Sequence, residues 1–368
     1  MKKRLPVLYL LAVIAFHQNS AQSLLNRADS ILAARYYRNT GIDTAYISRP
    51  ATKWTLTARL NVSGATIEAK GIDNGNHFNS KMEANSKATL SLGLSYLGFS
   101  LNASLNPAKL MGKYSDYELN FNSYGRRFGF DVIYQDAKNF SGWHDHEGMG
   151  RITLPDGLLS VKTLNLNAFY VFNSRRFSYP AAFSQSFIQR RSAGSFLLAA
   201  SAMGQRAALD WQQPMKLKMT NIALGAGYAF NFVPKTRRSS TQTLSSSTQT
   251  HPSPSVTSYS SSPTSFNSST QTHPSQLPTF NGWLFHISAL PTFIVYSNTS
   301  MTFGDDRIPL HYHFPEVVIT GRGAVLRQWG NKFLGLSMVY NFTNIGNDES
   351  LALHNTKWRV RTFFGLRM

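Results

Sequence analysis

Apolar and polar residues alternate along most of the chain from residue 53 onward, which is the period of a β-strand with two different faces. In the first such segment Trp54, Leu56 and Leu60 share one face, whereas Thr57 and Arg59 share the other. The clearest alternating segments are 54–62, 88–96, 99–105, 117–121, 128–134, 164–172, 222–232, 334–342 and 358–366. This repetition predicts a protein built almost entirely from strands.

The polar face of these segments consists mainly of Ser, Thr, Asn and Gly. A soluble antiparallel sheet buries its apolar face and turns a charged face to water, whereas a membrane barrel turns its apolar face to lipid and lines its lumen with polar residues. Aromatic residues make up 13% of the chain and charged residues only 15%, compared with ~25% in soluble domains. These features predict an all-β fold, an antiparallel transmembrane β-barrel in the cell outer membrane.

The spacing of the segments predicts an even number of strands, either 12 or 14. Fourteen strands result if 283–302 splits into two at Pro291, and twelve if 177–192 does not span the membrane. Tight turns are expected at 97–98, 124–127 and 173–176, and long stretches at 63–87, 136–160 and 233–280. We expect the tight turns to face the periplasm and the long stretches to face outward.

The N-terminus has the pattern of a secretory signal peptide, which predicts an exported chain. Three basic residues precede the apolar run 5–16, and a polar stretch with small residues leads to a cleavage site between Ala21 and Gln22. We therefore divide the chain into a signal peptide (1–21), a periplasmic N-terminal segment (22–50) and the barrel (51–368). Residues 239–279 are rich in Ser, Thr and Pro, and we expect a disordered loop insertion there.

The formal net charge is +19, which bears on the partners of the chain. The basic residues are dispersed along strands of an exported protein, so we do not expect nucleic acid as a partner. Outer-membrane lipids and lipopolysaccharide are the expected counterparts, together with the machinery that assembles barrels. The sequence contains no cysteine, so disulfides and a lipid anchor on cysteine are excluded.

Several longer stretches resemble an uncharacterised Bacteroidetes-type outer-membrane family of the "domain of unknown function" series. They are 122–134, 169–198, 286–291, 319–324, 333–342 and 357–368. The resemblance implies a signal peptide followed by a β-barrel and covers nearly all of the mature chain except the Ser/Thr-rich insertion. It implies no activity.

The same alternation assigns charged side chains to the lumen. If the apolar positions of the last strand face lipid, Lys357, Arg359 and Arg361 point inward, and Arg59 joins them from the first strand. We expect these four residues to form a basic wall. Asp116, Glu118 and Asp131 are expected to form an acidic patch elsewhere on the circumference. Two interpretations remain open: a transverse field that favours anionic solutes, or internal ion pairing that fills a narrow barrel.

Residues 143–147 are the densest polar cluster, and His144 and His146 are the candidates for a metal or an acid–base site. Their spacing matches no standard zinc motif, and a third ligand is not evident, so solvated loop histidines are the simpler interpretation. We expect no cofactor and assign no catalytic residue.

Three functions remain open. The first is a porin-like barrel for passive passage, or for binding a small polar or anionic solute. The second is an outer-membrane enzyme acting on lipid A or an envelope glycan, and the third is a structural or adhesive surface barrel.

Overall fold

The computed structural model describes residues 18–37, 41–73, 75–107, 117–148, 150–210, 215–234, 280–303, 306–310, 316–347 and 351–368. In chain order the elements are α1 (Gln18–Tyr37), β1 (Ile47–Ser48), β2 (Trp54–Asp73), β3 (Asn76–Tyr96), β4 (Phe99–Leu105), β5 (Tyr117–Tyr124), β6 (Phe128–His146), β7 (Gly150–Val171), α2 (Pro180–Phe183), β8 (Ile188–Gln189), β9 (Ala193–Leu209), β10 (Met215–Phe232), β11 (Gly282–Phe303), β12 (Asp306–Leu310), β13 (Glu316–Trp329), β14 (Lys332–Asn347) and β15 (Leu351–Arg367).

Twelve of the strands form one closed antiparallel ring. Its order is β2, β3, β4, β5, β6, β7, β9, β10, β11, β13, β14 and β15, and β15 pairs with β2 to close it. Closure leaves no unpaired sheet edge, which a strand in hydrocarbon cannot tolerate. The predicted all-β barrel is confirmed, and the smaller of the two predicted strand numbers agrees with the ring.

The outer surface of the ring is a belt of apolar side chains. Leu92 is 68% exposed, Phe196 66% and Ile287 69%, values that would be costly in water. The belt continues on every side of the ring, for example through Leu60, Leu101, Leu119, Phe130, Leu166, Leu224, Ile319, Leu336 and Phe364. This is the exterior of a transmembrane β-barrel. Among the described residues, no helix combines the length and the apolar character needed to cross a membrane.

Both ends of the ring's chain lie together at one end of the barrel. The backbone N–H of Trp54 donates to the carbonyl of Met368, 3.0 Å away, and the N–H of Met368 donates back at 2.9 Å. The tight turns at 97–98 and 125–127 lie at this same end, because Trp54 pairs with Tyr96 and Phe99 with Ser123. We assign this end to the periplasm, in line with the short periplasmic turns of such barrels.

Two of the predicted long stretches, 63–87 and 136–160, are mostly strand rather than loop. The hairpin β2–β3 continues to a turn near residue 75, and the hairpin β6–β7 continues to a turn near residue 148. Register shifts occur between Ser63 and Ala65 and between Ala137 and Phe140. A bulge of this kind moves the following side chains to the other face. The simple two-residue period therefore breaks there, although the strand continues.

The predicted outward position of 233–280 is wrong. Phe232 pairs with Phe285, and Asn231 pairs with Ala193, so this connection leaves and re-enters the barrel at the periplasmic end. Counting 177–192 as a spanning strand leads to the wrong position. One extra spanning strand moves the connection that follows β10 to the opposite side of the membrane. In the structure β11 also runs through Pro291 without interruption. Residues 239–279 themselves and the predicted signal peptide up to residue 17 lie outside the described residues.

This topology predicts the labelling of cysteines introduced into a chain that has none. In intact cells, a membrane-impermeant maleimide should label Asp210→Cys, at the outer end of β9, but not Ser246→Cys, in the connection between β10 and β11. Permeabilising the outer membrane should make Ser246→Cys reactive. Labelling of Ser246→Cys in intact cells at the rate of Asp210→Cys would contradict the assignment of the two ends.

Candidate functional site in the barrel lumen

The periplasmic half of the lumen is filled by two segments that do not belong to the ring, residues 46–50 and 177–189, which we call the plug. They are joined by the short pairing of β1 with β8, in which Ile47 faces Gln189. Phe177 and Phe187 of the plug are at most 1% exposed. Residues 177–192 therefore do not span the membrane but fold into the barrel.

The plug packs against inward-facing apolar side chains of the ring. Ile47 and Phe187 belong to one buried cluster with Leu326, Phe333 and Phe363. Phe333 lies directly across the strand pair from Gly365, and Phe363 across from Gly335. A Cβ atom at either glycine would collide with the opposite ring. The two glycines therefore allow both phenylalanines to lie flat on the inner wall beneath the plug.

Buried amides hold the plug in one position. Gln189 accepts a hydrogen bond from the N–H of Ser178 at 2.9 Å and donates from Nε2 to the carbonyl of Arg176 at 2.7 Å. Asn231 of β10 donates to the carbonyl of Ser178 at 2.8 Å, and its Oδ1 atom lies 2.7 Å from Nδ1 of His286. Because unpaired amides are costly in such a setting, this network favours a single arrangement of the plug.

The C-terminal end of α1 lies below the plug. The Tyr36 hydroxyl donates to the carbonyl of Ser186 at 2.8 Å, and the Arg49 guanidinium lies 4.5 Å from the Tyr36 ring centroid and 4.6 Å from that of Phe187. Burial raises the pKa of Tyr36 to about 12, so the hydroxyl remains a donor across the physiological pH range. The N-terminal segment is thus fastened to the plug from the periplasmic side.

Above the plug lies a luminal charge cluster, which consists of Arg59, Glu118, Asp131, Arg322, Arg359 and Arg361. Glu118 of β5 reaches across the lumen to Arg359 of β15, and the two guanidinium N–O distances are 2.9 and 2.5 Å. This two-bond geometry is the preferred pairing of arginine with a carboxylate. Both carboxylate oxygens of Glu118 therefore bind Arg359.

Arg59 and Arg361 have amide partners instead. Arg59 donates to Oδ1 of Asn102, and Nε of Arg361 donates to Oδ1 of Asn61 at 2.7 Å. Within the described residues, no carboxylate lies within ion-pairing distance of either guanidinium. The two side chains come from neighbouring strands, since Arg361 pairs in register with Asn61 and Arg59 with Phe363. Two like charges therefore lie close together in the lumen wall.

A second group connects the charge cluster to the plug. The Tyr124 hydroxyl donates to Asp131, and Arg322 of β13 is coupled electrostatically to Asp131. The guanidinium of Arg322 also lies 5.8 Å from the centroid of the Tyr179 ring of the plug. Arg322 thus lies between the charge cluster and the plug.

The structure places the residues of the predicted basic wall as follows. Arg59, Arg359 and Arg361 line the lumen, and Lys357 lies further outward on the same face of β15. Glu118 and Asp131 also face the lumen. They do not form a separate acidic patch, because Glu118 pairs with Arg359. Asp116 lies outside the described residues.

His144 and His146 are not in a loop, because they belong to the outer end of β6. His144 Nδ1 lies 2.7 Å from the Ser80 hydroxyl, and His146 Nδ1 lies 2.9 Å from the carbonyl of Glu147. In the part of the chain that the structure describes, no group of three potential metal ligands occurs. The contacts of both histidines therefore lie at the outer end of the barrel wall, with Ser80 of β3 and with the backbone next to β6.

Sequence reasoning missed Arg322, His286 and Tyr179. Arg322 shares the inward face of β13 with Thr320 and Ala324, so alternation in 316–329 was the signal that could have revealed it. Likewise, His286 shares the inward face of β11 with Leu284 and Ser288. Tyr179 had no such signal, because it lies in the plug rather than in a strand.

Several solved outer-membrane barrels match this chain at low sequence identity. The β domain of the Bordetella autotransporter BrkA is 11% identical, covering 84% of this chain and 100% of that one, with a TM-score of 0.29. The translocator domain of autotransporter NalP from Neisseria meningitidis is 10% identical over 96% and 99%, with a TM-score of 0.28. The toluene transporter TodX of P. putida is 7% identical over 87% and 91%, with a TM-score of 0.26. Similarity at this level says nothing about what this chain does.

No curated protein matches the sequence at a significant level. The model of a domain of unknown function, DUF4421, matches residues 41–276. The chain belongs to the DUF4421 family. The matched region begins with the N-terminal part of the plug and includes β2 to β10, so it contains both plug segments. Membership confirms the predicted uncharacterised family, and the closed ring with its apolar belt agrees with the predicted outer-membrane location.

The arrangement of charges predicts unequal effects of removing Glu118 and Arg359. Glu118→Gln leaves the guanidinium of Arg359 near Arg361 without a counter-charge and should lower the free energy of unfolding by about 3–5 kcal/mol. Arg359→Gln should cost less, because Glu118 remains close to the charge of Arg361. Urea unfolding of the barrel in liposomes measures both.

The control for this pair is Asp29→Asn, which breaks the exposed ion pair between Asp29 and Lys53. Its effect should stay below about 1 kcal/mol. An Arg359→Gln variant that is less stable than Glu118→Gln would show that the lumen has no excess of positive charge.

Proposed function

We propose that this protein is an outer-membrane barrel that binds a small anionic solute in its lumen. The observation that carries the proposal is the pair Arg59 and Arg361, whose described partners are neutral amides. Burying like charges without a counter-charge is costly, and a bound anion removes that cost. Arginine forms two parallel hydrogen bonds with carboxylate or phosphate groups, so solutes bearing these groups are the expected class.

A small cavity lies beside Asn61, the hydrogen-bond partner of Arg361. Its volume of about 20 Å³ accommodates a single water-sized group, and its lining includes Arg359 together with the carboxylates of Glu118 and Asp136. One oxygen of an anion can occupy it while the remainder of the solute extends toward the outer end of the lumen. The remaining lining residues carry hydroxyl and amide groups, the kind of polar groups that orient a ligand: Asn61, Ser63, Thr89, Ser104, Tyr117 and Gln135.

The plug favours binding over free passage. It fills the lumen between the charge cluster and the periplasm with fully buried side chains such as Phe177 and Ala181. A solute that reaches Arg361 from outside therefore meets a closed floor. Passage into the periplasm requires the plug to move, and the contact of Arg322 with the Tyr179 ring is the place where a bound anion can influence it.

The variant Arg361→Gln tests the anion site, because the proposal predicts the direction in which its stability changes. Arg361→Gln relieves repulsion with Arg59, so without added anion the variant should be at least as stable as the wild type. Sulfate should stabilise the wild type more than sodium chloride of equal ionic strength does, by about 2.7 kcal/mol at a hundred times its Kd. That gain should disappear in the variant.

A double variant of exposed residues on β10, Lys216→Gln with Lys218→Gln, removes two charges far from the lumen and serves as control. It should retain the full stabilisation by sulfate in thermal unfolding. If Arg361→Gln also retains it, the lumen does not bind the anion.

Planar-bilayer recordings test the plug. The wild type should show no steady open-channel conductance. Removal of 177–190 should leave a short connection, since β7 and β9 are neighbours in the ring and Val171 pairs with Leu197, and it should open stepwise conductance. Circular dichroism checks that the shortened chain still forms a barrel. Steady conductance of the wild type would refute the closed lumen, and an equally silent deletion variant that folds would show that the plug is not the barrier.

A further inference from the structure

The periplasmic rim of the barrel carries a concentrated group of arginines between two adjacent connections. Arg126 and Arg127 lie in the turn from β5 to β6, and Arg175 and Arg176 follow β7. The two connections touch, because the N–H of Val171 donates to the carbonyl of Arg127 at 2.8 Å. We propose that this arginine rim binds the phosphate group of an anionic phospholipid in the inner leaflet.

The rim surrounds a pocket of suitable size and charge. The pocket has a volume of about 290 Å³ and is lined by Asp43, Asn173, Arg175 and Arg176. Asp43 is the carboxylate of this group, and it lies 3.2 Å from Nε of Arg176. Two guanidinium groups therefore share the pocket with one carboxylate, and Arg126 and Arg127 lie in the adjoining turn, where Arg126 donates to the carbonyl of Gly41. Burial lowers the pKa of Arg126, and the positive charges of Arg127 and Arg175 lower it further.

Exposed aromatic rings lie immediately above the rim on the lipid-facing side. Phe128 is 68% exposed and Phe172 56% exposed. Tyr170 lies between them, with ring centroids 4.9 Å from Phe128 and 5.1 Å from Phe172. Aromatic residues at this depth contact the boundary between headgroups and acyl chains. A ligand that uses both surfaces has a phosphate and a hydrocarbon chain, which favours a phospholipid over an acidic peptide.

The rim is also part of the support of the plug. The N–H of Asp43 donates to the carbonyl of Arg175 at 2.9 Å, which joins the two chain segments that enter the plug. The guanidinium groups of Arg176 and Arg191, at opposite ends of the second plug segment, lie 5.0 and 5.8 Å from the centroid of the Tyr46 ring. A phosphate bound among Arg175 and Arg176 thus fastens the entry of the plug to the membrane surface.

Native mass spectrometry of the full-length barrel in neutral detergent tests this site with phosphatidylglycerol and phosphatidylcholine as probes. The wild type should retain phosphatidylglycerol in preference to phosphatidylcholine. Arg127→Gln with Arg175→Gln should weaken retention of phosphatidylglycerol about tenfold to thirtyfold, since each basic residue near a membrane surface contributes to binding anionic lipid. Arg127→Lys with Arg175→Lys, which keeps the charge, should retain most of the binding.

The matched control is again Lys216→Gln with Lys218→Gln, which removes two charges at the outer end and should leave phosphatidylglycerol binding unchanged. Equal loss in the control and the rim variant would overturn the proposal in favour of a general charge effect. Equal retention of both lipids by the wild type would assign the site to the aromatic rings alone.

Two competitors distinguish the source of the ligand. Inorganic phosphate should displace phosphatidylglycerol only at concentrations far above those of the lipid, because it lacks the acyl chains. If free phosphate binds as tightly as the lipid, or if polyglutamate binds more tightly, the rim is not a lipid site. The rim variant keeps Arg59 and Arg361, so it should still respond to sulfate in thermal unfolding as the wild type does.

Discussion

The constraint on which the rest of the structure depends is the closure of the ring. In hydrocarbon every backbone N–H and C=O group needs a partner, and the pairing of β15 with β2 supplies the last of them. Closure at twelve strands creates a lumen that the inward side chains of the wall do not fill by themselves. The plug fills the periplasmic half of that space, and the phenylalanines opposite Gly335 and Gly365 shape the wall to receive it.

Because the plug fills part of the lumen, the luminal charges have different surroundings from those in an open pore. In an open pore, the arginines of β2 and β15 would face water, where their mutual repulsion is weak. Above the plug they face one another, one bidentate carboxylate and neutral amides. This arrangement supports the proposed anion site more than a wall whose charges are screened by water. A similar group of arginines occurs at the periplasmic rim, where the proposed counter-charge is a lipid phosphate.

Alternation alone was enough to predict the barrel, the outward face of most strands and the inward direction of Arg59, Arg359 and Arg361. It failed where the chain departs from the two-residue period. The bulge after Ser63 interrupts the alternation in the outer part of β2, and the sequence left open whether 177–192 spans the membrane. That single extra strand also reversed the side assigned to 233–280. The ion pair between Glu118 and Arg359 could not be predicted from the sequence. The alternation gives the face on which a side chain lies but not the distance between two strands across the lumen.

The pairing of β1 with β8 has a consequence for the order in which the molecule assembles. Ile47 lies a few residues ahead of the first strand of the seam and pairs with Gln189 inside the barrel. If β15 pairs with β2 before this contact forms, the plug has to enter the closed ring from the periplasmic end. Contacts this distant in sequence form slowly. The short segment ahead of β2 links the first plug segment covalently to the seam, so we expect the residues that fill the finished lumen to influence the order in which the barrel assembles as well.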